Sequence, residues 1–238
     1  MGRIGNIIQR KGKQDAKKAK EFTKLARCLM VAAREGGPDP AYNGALMSAI
    51  EKAKAINMPN DNIDRAIKKG AGENDGAVFT EMMYEGYGPG GVAIIVECLT
   101  DNTNRTAADV RSYFSKYGGN LGTNGCVTFM FEHKGVLAIE TEEGTDTEAI
   151  ENDILESGAS DFSEEEGYIE ILTEVEDFAQ VRDFLSGKGY KFSMAELRYL
   201  PSNMVKLTKE DDIKNMNKMI DMFEDHDDIQ AIYHNFEG

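Results

Sequence analysis

The chain has 238 residues, with 27 Lys and Arg against 42 Asp and Glu, a formal charge of −15, and 41% hydrophobic residues. This composition belongs to a globular protein of one large or two to three small domains, and it excludes wholesale disorder, collagen and coiled coil. No apolar run approaches the roughly 20 residues of a membrane helix, and the N-terminus is polar and basic, so no membrane partner and a cytoplasmic location are expected.

Cys28, Cys98 and Cys126 are far apart and never form a Cys-x-x-Cys pair, so neither a disulfide framework nor a zinc site is implied. The charge is strongly partitioned. Residues 1–76 hold fifteen Lys and Arg against nine Asp and Glu, whereas residues 77–238 hold twelve against thirty-three. Residues 135–181 contain sixteen acidic side chains and no Lys or Arg. A basic arm and an acidic lobe call for different neighbours.

In chain order, Phe22, Leu25, Ala26, Leu29 and Ala33 recur at helical steps and predict a helix from about Lys13 to Arg34, stopped by Gly36-Gly37-Pro38. Lys13, Lys17, Lys20, Lys24 and Arg27 fall within roughly 80° of one another on the opposite side of that helix. A second helix is predicted over residues 44–56 and a third from Pro59 to Lys69, closed by Gly70. The period then becomes extended over Phe79–Tyr84 and Val92–Leu99. A helix over Thr103–Tyr117 and a strand over Val127–Glu132 complete a ββαβ order.

Gly135–Glu140, Asp146–Glu156, Ala159–Phe162, Tyr168–Leu172, Val175–Leu185 and Tyr190–Tyr199 then read βαββαβ, the ferredoxin-like order. Met204–Leu207, Lys209–Glu224 and Ile229–Tyr233 add one more βαβ, which together with residues 91–132 makes a second such unit. The expected fold is α+β, a three-helix domain followed by two ferredoxin-like α/β domains, one inserted in the other. The expected domains are residues 1–76, then 77–133 with 203–238, and the inserted acidic unit 134–202, hinged at His133-Lys134 and Pro201-Ser202.

The motifs carry little catalytic vocabulary. Gly86-Tyr87-Gly88-Pro89-Gly90-Gly91 matches Gly-x-Gly-x-x-Gly by letter, but a strand follows it where a dinucleotide site needs a helix, and Pro89 offers no amide. There is no nucleophile elbow, His-Glu-x-x-His or phosphate-binding loop, so no enzyme activity, catalytic residue, metal or cofactor is expected. His226 lies in Glu224-Asp225-His226-Asp227-Asp228, which reads as a solvated helix-to-strand turn rather than a cation site. Asp101–Thr106 reads as a helix cap, with Arg105 poorly placed against the helix dipole and therefore held for a partner.

The feature that stands out is the basic helix. About 33 Å of helix carrying Lys13, Lys17, Lys20, Lys24 and Arg27, extended by Arg10 and Lys11, suits a phosphate backbone. Those seven residues and Arg105 are the expected nucleic-acid contacts, with DNA or RNA backbone as the partner.

Several strings carry a family resemblance: Arg10-Lys11-Gly12, Phe22-Thr23-Lys24-Leu25, Ala32-Ala33-Arg34-Glu35-Gly36-Gly37, Asn57-Met58-Pro59, Tyr84–Gly91, Glu97–Asn102, Asn104-Arg105-Thr106 and Gly118–Gly122. On these the chain resembles the YebC family over essentially its whole length. The resemblance implies a helical domain and two α/β domains around an acidic cleft, without known catalytic activity. It further implies a DNA-binding regulator of transcription or, as the alternative, a translation factor acting with messenger RNA and the ribosome. The opening Gly2-Arg3-Ile4-Gly5-Asn6-Ile7 departs from the family in lacking its usual His and Trp, so an aromatic at that point cannot stack on a base.

Overall fold

The structure, a computed structural model, describes residues 18–72, 78–142 and 144–238. Two compact units emerge, one of residues 128–204 and the other of the flanking residues up to 127 and from 205. Each is an independent packing problem.

In the larger unit, α1 (Lys18–Gly36), α2 (Gly44–Ala55) and α3 (Asn60–Ala71) form a helical domain. The helical spacing of Leu29, Ala33, Leu46, Ala49, Ala53, Ile63 and Ala66 gathers them into one core. Asn43 joins the first two helices. Its side chain caps α2 by accepting from the Leu46 amide at 3.0 Å and donates to the carbonyls of Ala32 and Gly37.

Gly70 does not close α3, as its residue type suggested; it lies buried within the helix. A Cβ there would collide with the Met30 backbone, so this glycine is present for the close crossing of α1 and α3.

The rest of this unit is an antiparallel sheet of β1 (Thr80–Tyr87), β2 (Ala93–Thr100), the short β3 (Asn120–Leu121) and β9 (Ile229–His234). Its order is β3-β1-β2-β9. The helices α4 (Thr103–Lys116) and α7 (Glu210–Glu224) bury Val110, Phe114, Met216, Met219 and Phe223 against Ile94, Val96 and Cys98. The Gly-rich segment before β2 is a single turn at Pro89–Gly91, with Gly90 and Gly91 at positive φ.

This sheet has the ferredoxin-like strand arrangement, with one substitution relative to the sequence reading. The third-strand place is filled by β1 rather than by Met204–Leu207. Only Val205–Lys206 (β8) is extended there, in a parallel pair with Phe236–Glu237 (β10). Chain order is thus permuted while the strand neighbours are kept.

In the other unit, β4 (Phe131–Glu140), α5 (Thr147–Ser157), β5 (Asp161–Glu165), β6 (Tyr168–Thr173), α6 (Phe178–Gly187) and β7 (Phe192–Pro201) follow the expected βαββαβ order. The strand order is β5-β6-β4-β7. Leu137, Ile139, Ile169 and Ile171 face the two helices, and the alternate residues Val136, Ala138, Tyr168 and Leu172 form a second buried cluster.

Two sequence-derived boundaries move. The segment 127–132 is not a separate strand, since Thr128–Met130 is a 3-10 turn and β4 begins at Phe131. Nor do His133 and Lys134 interrupt the chain. They pair with Tyr199 and Arg198 across β4 and β7, and His133 stacks on Tyr199 at 4.4 Å, so ladder bonds and ring contact carry the strand through a polar stretch. No helix among the described residues is long and apolar enough to cross a membrane.

Gly70→Ala is expected to lower stability by about 1–3 kcal/mol through the forced separation of α1 and α3. Gly44→Ala, where added volume meets nothing, should be neutral or gain up to about 1 kcal/mol. Thermal or urea unfolding of the two variants measures the contrast.

Candidate nucleic-acid interface

The basic helix meets its partner inside the protein. Helix α7 ends at Glu224 with no basic residue in its last turn, leaving carbonyls at the negative end of the helix dipole. α1 supplies the missing cations. Lys20 Nζ donates to the Asp225 carbonyl at 3.2 Å and pairs with its carboxylate at 3.1 Å, and Lys24 Nζ donates to the Glu224 carbonyl at 2.8 Å.

Arg27 completes the row. Its guanidinium donates to the Asp227 carbonyl at 2.8 Å and to Asp228 Oδ1 at 2.6 Å, and lies 5.4 Å from the centre of the Phe79 ring. The i, i+4, i+7 spacing of Lys20, Lys24 and Arg27 makes this possible, placing three cations on one face within about 10 Å of helix axis. Beside them, Cys28 Sγ lies 3.4 Å from Gln230 Oε1.

Asp228 is the convergence point. It is 2% exposed. Arg27 donates to one oxygen, while the other accepts from Arg105 at 2.8 Å, Thr106 Oγ1 at 2.8 Å and Thr100 Oγ1 at 3.1 Å. Burial by itself would raise the pKa of this carboxyl, but the hydrogen bonds from Arg105, Thr106 and Arg27 outweigh it and hold the group well below the usual carboxylate range.

One carboxylate thereby ties together the end of β2, the start of α4, the turn after α7 and the helical domain. The turn is further fixed by His226, whose Nδ1 accepts the Asp228 amide at 3.1 Å. That leaves the ring proton on Nε2, directed at Asp109 Oδ2 3.1 Å away.

Of the eight expected nucleic-acid contacts, Arg10, Lys11, Lys13 and Lys17 lie outside the described residues. Lys20, Lys24, Arg27 and Arg105 all have intramolecular partners, and the partner for which Arg105 is held is Asp228 together with Asp101 at 2.9 Å. The acidic turn, read from sequence as solvated, is the docking point of the basic helix. Among the described residues no cluster of His, Cys, Asp or Glu could hold a metal ion.

Sequence reasoning passed over Asp228, Thr100 and Thr106, whose letters fit any turn or cap. It also passed over Glu85, which is 4% exposed. Its two oxygens accept the amides of Gly125 at 2.7 Å and Val127 at 3.0 Å, shaping the loop after β3.

Two family descriptions match this chain: the TACO1/YebC N-terminal domain over residues 2–73, and the TACO1/YebC second and third domain over residues 79–236. A protein of Clostridioides difficile named probable transcriptional regulatory protein is 60% identical over 238 residues, covering 100% of this chain and 99% of its own. One of the same name from Finegoldia magna is 56% identical over 232 residues, covering 98% and 96%. The crystal structure of a conserved hypothetical protein from Aquifex aeolicus is similar with a TM-score of 0.84 at 43% identity, covering 94% of this chain and 91% of that one.

Because the Asp228 pKa is depressed in the folded state, its stabilisation is complete above the unfolded value of about 3.9 and is lost as pH falls below it. Urea unfolding from neutral pH down to about pH 3 should show a steep acid loss in the parent protein and a flatter one in Asp228→Asn. An identical acid limb in the variant would contradict the assignment.

Proposed function

This chain belongs to the TACO1/YebC family, and we propose that it is a non-enzymatic regulator of gene expression that binds a nucleic-acid backbone, DNA in the first instance, through its helical domain. The observation that carries this reading is a set of three exposed cations on α3, in excess over the two exposed carboxylates, Asp61 and Asp64, one turn before them. Arg65, Lys68 and Lys69 follow the i, i+3, i+4 pattern opposite the buried Ile63, Ala66 and Gly70, and all three are exposed. None of the three side chains has an ion pair or hydrogen bond to another described residue.

Lys68 and Lys69 suit the negative end of the helix dipole, but Arg65 lies too far from the end for that account. The domain's positive charge within a chain of −15 supports the same reading. So do the names of the relatives, which describe regulators of transcription. In sequence, Arg10, Lys11, Lys13 and Lys17 add four cations to the same domain.

Contacts of this kind give affinity and register without reading bases. The whole chain is therefore expected to bind a labelled DNA duplex with an affinity that falls steeply as salt rises. Replacing Arg65, Lys68 and Lys69 by Gln should lower the magnitude of the log–log salt slope by about 2 to 3 while leaving the melting temperature unchanged. An unaltered slope would move the contact away from α3. Retention of RNA or co-sedimentation with ribosomes, in place of duplex binding, would transfer the reading to translation.

A further inference from the structure

We infer that the Lys20, Lys24 and Arg27 face of α1 is a second phosphate-binding surface, occupied in this structure by the end of α7 and the turn Asp225–Asp228, and that a nucleic-acid backbone competes with that turn for it. This rests on the nucleic-acid reading above and deepens it by naming a surface that the docked conformation conceals.

The first ground is the chemistry of the resident partner. The three cations meet main-chain carbonyls of Glu224, Asp225 and Asp227 and the carboxylates of Asp225 and Asp228. This is a row of anionic and partly negative acceptor oxygens, the acceptor pattern that phosphates also present. Lys20 and Asp225 are about half exposed, so that end of the contact is open to solvent and to competing ions.

The second ground is the kind of interface. Among the described residues, the core of the helical domain is built only from residues 22–67, and that of the neighbouring α/β domain from Met82 onward. No apolar cluster spans the two. Among the described residues, the contacts that join them include the polar row, the Arg27 contacts to the Phe79 ring and the Leu99 carbonyl, and the Cys28–Gln230 pair. An interface without a shared hydrophobic core is held by charge, and charge can be exchanged for other charge.

The third ground is relative strength. Duplex DNA presents one charge per about 1.7 Å of axis, a far denser array than two carboxylates and a helix end. In sequence, Lys13 and Lys17 precede these three cations and lie outside the described residues. A backbone engaging those residues would be drawn toward Lys20, Lys24 and Arg27 next. While the turn holds the face, apparent affinity is reduced by the fraction of molecules in which the face is free.

The test is a pair of variants matched in charge. Asp225→Asn with Asp228→Asn weakens the turn and leaves the cations intact. Glu210→Gln with Asp211→Asn neutralises two exposed carboxylates at the other end of α7. Affinity for a fluorescein-labelled DNA duplex, and for RNA of the same sequence, is measured at fixed salt. Competition predicts that the turn variant binds about fivefold more tightly than the control, since weakening the intramolecular occupant raises the competent fraction.

Equal gains in the two variants would mean that only net charge matters and would overturn the inference. Should the double turn variant fail to fold, Asp225→Asn against Asp211→Asn gives the same comparison. As an independent readout, amide exchange at residues 224–229 of the unaltered protein should accelerate when saturating duplex is added. Unchanged or slowed exchange with duplex bound would overturn the inference while leaving the proposed function standing. Absence of binding to either probe would overturn both.

Discussion

The buried carboxylate of Asp228 is the interaction on which the arrangement of the larger unit depends. A carboxylate with almost no exposure is tolerated only when its charge and lone pairs are satisfied, and here two guanidinium groups and two threonine hydroxyls satisfy them. Its partners come from α1, from the end of β2 and from α4, so satisfying one charge fixes three elements relative to the turn. The penalty for leaving any partner out is what makes the arrangement specific.

Around this point the unit divides its labour between apolar and polar forces. The helices α4 and α7 are bound to their sheet by a continuous core that includes Phe114, Met216 and Phe223. The helical domain has its own core, centred on Leu29 and Leu46. Between the two, complementary charge does the joining: the dipole end of α7 and its acidic turn face the Lys20, Lys24 and Arg27 row. Such an interface aligns the domains without merging them.

Much of this was legible in the residues themselves. The steps between Phe22, Leu25, Leu29 and Ala33 define the core face of α1, and the βαββαβ order of the inserted unit follows from its alternating apolar runs. Local misreadings have local causes. Gly70 looks like a helix stop because glycine usually is one, and only the proximity of Met30 shows why it is needed inside α3. The third-strand place in the first sheet went to β1 because the turn at Pro89–Gly91 folds β1 back on β2 as an antiparallel hairpin, which puts it beside β2 before any later strand arrives.

The basic ridge was legible as a ridge, but its partner was not. Lys24 and Glu224, or Arg27 and Asp228, stand about 200 positions apart, and one acidic turn among many in a chain with 42 acidic residues carries no mark of being chosen. Arg105 was recognised as needing a partner, and its partner proved to be the same carboxylate. The central claim, that Arg27 and Asp228 hold the helical domain to its neighbour, is tested most directly by a double-mutant cycle on unfolding free energy with Arg27→Gln, Asp228→Asn and their combination. The account predicts a coupling of about 1 to 3 kcal/mol. Strict additivity of the two substitutions would contradict it.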